Sequence, residues 1–236
     1  MKSFSCQIRE GIIHSIIGPN GAGKTTIFNL ISGQLRPHSG SIRLRGQELV
    51  GKPPNVIASS GIGRTFQTLR LFKNLTVWEN VFVAYKTKQG LSLWRMALAS
   101  GRDDGRDTEA DATISDILGL LQLNDRRRIM AKNLSYGDQR RLEIARALAV
   151  KPSVLLLDEP TCGMNPQEAK DMIATIDRIR ARGSTIVLVE HNMRVVMSVS
   201  QHITVVDFGA VIAEGTPEEV KNSETVIQAY LGGRKC

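Results

Sequence analysis

Three short apolar runs punctuate the chain, at residues 12–17, 154–157 and 185–189. Each is rich in Val, Ile or Leu, and each stops at a polar or glycine boundary: Gly18-Pro19, Asp158-Glu159-Pro160 and Glu190-His191. Continuous runs of this length predict parallel strands buried on both faces, with chemistry at their carboxyl ends. Helical periodicity fills the intervals. One helix is predicted to open near Gly23. Another follows Asn165-Pro166, an N-cap and first-turn pair, where Met172, Ile173, Ile176 and Ile179 recur at helical spacing until Gly183. Strand, helix and strand in that order make a right-handed crossover unit. Further on, residues 202–206 and 210–213 form a strand-like pair that turns at Asp207-Phe208-Gly209.

The middle of the chain has another texture. Residues 76–86 and 107–121 predict helices, the second placing Ile114, Ile117, Leu118 and Leu121 on one face. Between them, residues 90–106 carry Trp94, Met96 and Leu98 and then a turn rich in Gly, Asp and Arg. The expectation is a single α/β domain over residues 1–236. Its core comprises 1–75 and 149–236, with a helical insertion at about 76–148.

Composition narrows the class. With 236 residues and 42% apolar content, the chain can bury a core without staples, which excludes wholesale disorder. No apolar run approaches the ~20 residues needed to span a bilayer. The first residues lack the apolar stretch of a secretory signal. Cys6, Cys162 and Cys236 are odd in number, scattered and without metal-ligand spacing, which fits a reducing cytosol. The net charge of +8 suits nucleic acid, an anionic membrane surface, or solubility alone.

Gly18-Pro19-Asn20-Gly21-Ala22-Gly23-Lys24-Thr25 matches the phosphate-loop pattern G-x-x-x-x-G-K-[ST] in full, between a predicted strand and a predicted helix. Glycines let backbone N–H groups curl around phosphates, and the helix N-terminus adds partial positive charge. Lys24 can reach the β- and γ-phosphates, the Thr25 hydroxyl can ligate Mg²⁺, and Thr26 extends the same helix start. Asp158 and Glu159 end the second strand, where an Asp can hold the Mg²⁺ shell and a Glu can polarise the attacking water. His191 ends the third strand beside the same presumed cleft. Ser135, Gly137 and Asp138 open a helix that carries Leu142, Ile144, Ala145, Ala147 and Leu148; a hydroxyl and an unobstructed N–H there offer a second anion site. Taken alone, that segment reads first as a capping motif with no ligand.

Together these motifs resemble the nucleotide-binding subunits of ABC transporters along nearly the whole chain. Residues 18–25 resemble Walker A, Gln67 the Q-loop glutamine, and Leu134-Ser135-Tyr136-Gly137-Asp138-Gln139 the signature motif. Residues 154–159 resemble Walker B with the catalytic glutamate, Gly163-Met164-Asn165-Pro166 the D-loop, and His191 the switch histidine. The resemblance implies a P-loop NTPase core with a mainly parallel sheet, an antiparallel β lobe and an inserted α-helical subdomain. It implies catalytic roles for Glu159, His191, Lys24 and Gln67, with Mg²⁺ held by Thr25, Gln67 and Asp158. It also implies a head-to-tail homodimer, or heterodimer with a paralogous ATPase, in which each ATP lies between one subunit's Walker A and the other's Ser135, Gly137 and Asp138.

Finer likeness points to the Liv-type ATPases of branched-chain amino acid import. It rests on Gly63-Arg64-Thr65-Phe66-Gln67, Leu75-Thr76-Val77-Trp78-Glu79-Asn80-Val81, Arg141-Leu142-Glu143-Ile144-Ala145-Arg146, Glu190-His191-Asn192-Met193 and Glu214-Gly215-Thr216-Pro217. Such a chain would sit on the cytoplasmic face of the membrane, docked on transmembrane permease subunits fed by a periplasmic or extracellular solute-binding protein. No nucleic-acid partner is expected. Urea- and amide-uptake ATPases and lipid or lipopolysaccharide exporters are the neighbouring alternatives, and a soluble ABC protein acting on nucleic acid the remote one. One feature departs from the family pattern. The aromatic residue that stacks on adenine usually lies twenty or more positions before the phosphate loop, whereas the nearest aromatic here, Phe4, has the alternation of a core residue. The basic residues Arg126-Arg127-Arg128 and Arg140-Arg141 fall in or beside the helical insertion, which suggests an anionic membrane surface as their neighbour.

Overall fold

The computed structural model describes residues 4–88 and 108–231. Its main sheet has six strands: β1 (Ile13–Ile17), β4 (Ile62–Arg64), β5 (Val154–Asp158), β6 (Thr185–Val189), β7 (His202–Asp207) and β8 (Ala210–Gly215). They lie in the order β4-β5-β6-β1-β7-β8, all pairs parallel except the β7–β8 hairpin. A separate antiparallel pair joins β2 (Arg43–Leu44) to β3 (Gln47–Glu48). The expected α/β fold, mainly parallel with a small antiparallel element, is the observed one.

The apolar runs are continuous because successive residues serve two cores. Leu155, Leu157, Ile186 and Leu188 pack on one side of the sheet; Leu156, Val187 and Val189 pack on the other with Ile27 and Phe28 of α1 (Lys24–Ile31). A short helix, α2 (Pro54–Ser59), precedes β4. The first core is completed by α3 (Val77–Lys88), α4 (Thr108–Leu120), α5 (Tyr136–Ala149) and α6 (Pro166–Ala181). Ile114, Ile117 and Leu118 of α4 are buried there as their spacing predicts. Asn165 caps α6 in a capping box with Glu168. The remaining α-helices among the described residues are α7 (Met193–Val199), α8 (Pro217–Lys221) and α9 (Glu224–Leu231). The interval 90–106 falls outside the described residues. Phe4 packs with Ile8 against the second core, as its alternation suggests.

One polar residue breaks the pattern of β1. His14 is fully buried, its Nε2 2.8 Å from the Thr204 hydroxyl, with Cys6, His202 and Glu214 around it. Burial, with help from His202 and Arg9 against Glu214, pushes its pKa down from 6.5 to about 4. The folded protein therefore keeps His14 neutral while the unfolded chain takes up a proton below pH 6.5. Stability is then expected to fall by about 3 kcal/mol as pH drops from 6.5 to about 4. Urea unfolding at pH 7 and pH 4.5 checks this. His14→Gln should lose most of that pH dependence, and an unchanged dependence would refute the assignment.

Candidate functional site

The strand order sets the site. β4, β5, β6 and β1 are consecutive neighbours, so four adjacent carboxyl ends deliver Gln67, Asp158 and Glu159, His191, and the phosphate loop to one edge. Gly18 is buried against β7, where an added Cβ would lie 1.9 Å from the Val206 carbonyl oxygen. Gly21 and Gly23 have φ of 80° and 106°, which turn the loop with little steric strain. Ala22 is buried, and its carbonyl accepts the Gly209 N–H from the β7–β8 turn. Pro19 and Asn20 complete the outer rim, Asn20 exposed. Gly23 supplies no side-chain cap and the first turn of α1 has no acidic residue, which leaves its N–H groups and the exposed Thr25 at an anion-suited opening, whereas Thr26 is half-buried beside Phe4, Ile8 and Leu30.

Lys24 is buried, and its Nζ donates to the Gly18 and Pro19 carbonyls at 2.7 and 2.9 Å. Burial pushes its pKa below the ordinary lysine value, while Glu159 and Asp158 oppose that shift. The donors, the glycine cradle and the uncapped helix start together fit a nucleotide phosphate chain. Glu159 sits in the left-handed region at φ 49°, its N–H bonded to Val189 of β6. That conformation is strained for a non-glycine residue and turns the carboxylate across the strand ends. One carboxylate oxygen lies 2.6 Å from His191 Nε2; the other accepts from Gln67 Nε2 at 3.5 Å. Asp158 is buried. Burial raises its pKa, Arg64 at 3.6 Å counters this, and Glu159 adds to the rise.

Ser135, Gly137 and Asp138 are held elsewhere, at the start of α5. Ser135 caps the helix by accepting from the Asp138 N–H, and its hydroxyl donates to the Asp138 carboxylate at 3.0 Å. Asp138 also pairs with Arg126 at 3.1 Å and Arg141 at 3.6 Å, so its charge is turned inward. This corrects the picture of a basic surface. Arg140 and Arg141 are largely buried, Arg126 and Arg127 pair with Asp138 and Asp111, and Arg128 is the exposed member of the group.

Several residues act on the site without a motif of their own to announce them. Arg64 bonds the Ser32 hydroxyl at 2.6 Å, lies over the Phe28 and Phe66 rings, and faces Asp158. Glu190 accepts from the Thr161 N–H and hydroxyl and from the His191 N–H, fixing the strand end on which His191 stands. Arg140 and Glu143 grip the backbone around Gln67. A charged residue placed inside or just past an apolar run was the only available signal.

Comparison with known proteins gives the family. The model described as "ABC transporter" matches residues 1–162, and that described as "Branched-chain amino acid ATP-binding cassette transporter" matches residues 210–235. The high-affinity branched-chain amino acid transport ATP-binding protein LivG of Salmonella typhimurium is 44% identical over 236 residues, covering 98% of this chain and 91% of LivG. Among solved structures, the ADP conformation of MJ1267, an ATP-binding cassette of an ABC transporter, superposes with a TM-score of 0.82 at 31% identity, covering 95% of this chain and 89% of that one. The dimeric post-hydrolysis state of the cassette MJ0796, bound to ADP and Pi, gives 0.74 at 26% identity, covering 90% and 88%. On these likenesses, and on motifs that converge at one sheet edge, the chain belongs to the ABC transporter ATP-binding family, within its branched-chain amino acid group.

Proposed function

We propose that this ATPase powers uptake of branched-chain amino acids from the cytoplasmic face of a membrane, docked on transmembrane permease subunits that a solute-binding protein supplies. No helix among the described residues is long and apolar enough to cross a membrane, so the translocation path belongs to other chains. The observation that carries the catalytic reading is the Glu159 carboxylate, held between His191 and Gln67 beside a phosphate loop.

In this reading the loop amides from Gly18 to Thr26 bind the phosphates, and Lys24 exchanges its bonds to the Gly18 and Pro19 carbonyls for phosphate oxygens. Thr25, Asp158 and Gln67 would hold Mg²⁺, which when bound neutralises phosphate charge. Arg64, 3.6 Å from the buried Asp158 carboxylate, opposes the rise in pKa that burial causes there. Glu159 orients the attacking water, while His191 and Gln67 fix its rotamer and His191 faces the charge that develops. Ser135 and Gly137 act in trans on the nucleotide of a second copy or a paralogous ATPase, which accounts for their distance from this chain's own loop. The helices around α3, α4 and α5 form the lobe, about 76–148, that contacts the permease.

The test is ATPase stimulation in the reconstituted native complex. Leucine, isoleucine and valine with the cognate binding protein should raise turnover, and urea or short amides should not. Stimulation by urea or amides alone would overturn the solute assignment while leaving the ATPase intact.

A further inference from the structure

The segment that carries Gln67 is not a free loop. It hangs on one face of α5, the helix whose first residues are the signature motif. Arg140 Nη1 donates to the Phe66 carbonyl at 2.9 Å and Nη2 to the Gln67 carbonyl at 2.6 Å. The Glu143 carboxylate accepts the Phe66 N–H at 3.1 Å and pairs with Arg140 at 3.3 Å. One turn further on, Arg146 donates to the Arg70 carbonyl and stacks over Phe72. The Arg64 and Arg70 guanidinium groups both lie over the Phe66 ring, at 5.2 and 4.0 Å from its centre.

This arrangement is expensive to build by accident. Arg140 and Glu143 are 4% and 5% exposed, so both charges are desolvated. Every N–H of Arg140 finds an acceptor, because Nε and Nη2 also reach the Tyr136 hydroxyl at 3.1 and 2.8 Å. Tyr136 lies inside the signature motif, and its ring borders Gly163 of the D-loop. A satisfied network built around two buried charges behaves as one rigid piece, with the exposed Tyr136 as its outer member. It joins the helix start to the Gln67 backbone across about 7 Å of helix.

We infer that Arg140 and Glu143 are positioning residues that couple the two ATP sites of the dimer. Engagement of Ser135 and Gly137 with the partner's nucleotide shifts α5, and the clamp passes that shift to Gln67 and so to Glu159 in this chain's own site. The inference rests on the trans arrangement proposed above. Neither residue touches nucleotide; both act through Gln67, whose side chain is 3.5 Å from Glu159.

The experiment is ATP hydrolysis by the reconstituted native complex as a function of ATP concentration. Affinity for a fluorescent ATP analogue and the melting temperature are the controls. Wild type is expected to give a Hill coefficient of about 1.5 or more, toward the ceiling set by two sites. Arg140→Met and Glu143→Gln should each bring it to about 1, with nucleotide affinity within about twofold of wild type. A purely structural lesion lowers the rate at every ATP concentration without straightening the curve. Glu143→Gln keeps the side-chain shape and an acceptor for the Phe66 N–H, so it remains decisive even where Arg140→Met fails to fold. Folded, nucleotide-binding variants that stay as sigmoidal as wild type overturn the clamp and leave the trans arrangement standing. A wild-type coefficient of about 1 also overturns the coupling. If, in addition, this chain forms no nucleotide-dependent dimer either with itself or with a paralogous ATPase, the trans arrangement falls with it.

Discussion

Replacing Glu159 by Gln should lower ATP turnover by about a hundredfold to ten-thousandfold and leave nucleotide binding intact. The carboxylate is the one acceptor at the strand ends that both His191 and Gln67 hold in place, at 2.6 and 3.5 Å. An amide of the same shape keeps the packing, and its oxygen can still accept from Gln67. It carries no negative charge and cannot take a proton from water, so the loss falls on the chemical step. Binding should if anything tighten, because a carboxylate beside a triphosphate repels it and the amide does not. The measurement pairs single-turnover hydrolysis with gel filtration in ATP. Near-wild-type turnover would remove Glu159 from its role, whereas a nucleotide-dependent dimer that does not hydrolyse supports it.

Much of this site was legible because strand ends are chemically abrupt. The runs ending at Ile17, Leu157 and Val189 pass from Val, Ile and Leu straight to Gly18, Asp158 and Glu190, and the sheet order then makes those ends neighbours. The edge strand β4 was not legible. It has three residues, Ile62, Gly63 and Arg64, too few for periodicity, and its glycine lowers strand propensity. Its register is set from outside. An added Cβ at Gly63 would meet the Ala147 carbonyl oxygen at 2.9 Å, so the strand fits only where α5 and β5 already stand. Arg64 and Arg140 were hidden for a related reason. An arginine reads as surface until tertiary packing supplies Asp158 or the Phe66 and Gln67 carbonyls as partners. The same logic explains why the basic cluster near α5 looked like a membrane-facing patch, although most of its charge is consumed internally.

The other large effect is expected at Gly18, where sequence pattern and packing make the same demand. Gly18→Ala should destabilise the fold by about 4 kcal/mol or more and abolish nucleotide binding. The added methyl would lie 1.9 Å from the Val206 carbonyl oxygen and 3.0 Å from its carbon, both backbone atoms of β7. That strand cannot retreat cheaply. It pairs with β1 through Val205 opposite Ile17 and with β8 through Val206 opposite Val211. Relief therefore requires either opening the β1–β7 ladder or expelling the phosphate loop from the sheet edge, and each displaces the Gly18 carbonyl that Lys24 holds. Gly21→Ala is the internal contrast. Its φ is 80°, but nothing lies within 4 Å of an added Cβ, so only conformational strain of about 1–2 kcal/mol is expected. Urea unfolding of the two variants beside wild type separates the effects. A Gly18→Ala protein within about 1 kcal/mol of wild type would mean that the loop does not seat against β7. In that case the placement of Lys24 beside Asp158 and Glu159 would have to come from a contact other than the β1–β7 edge.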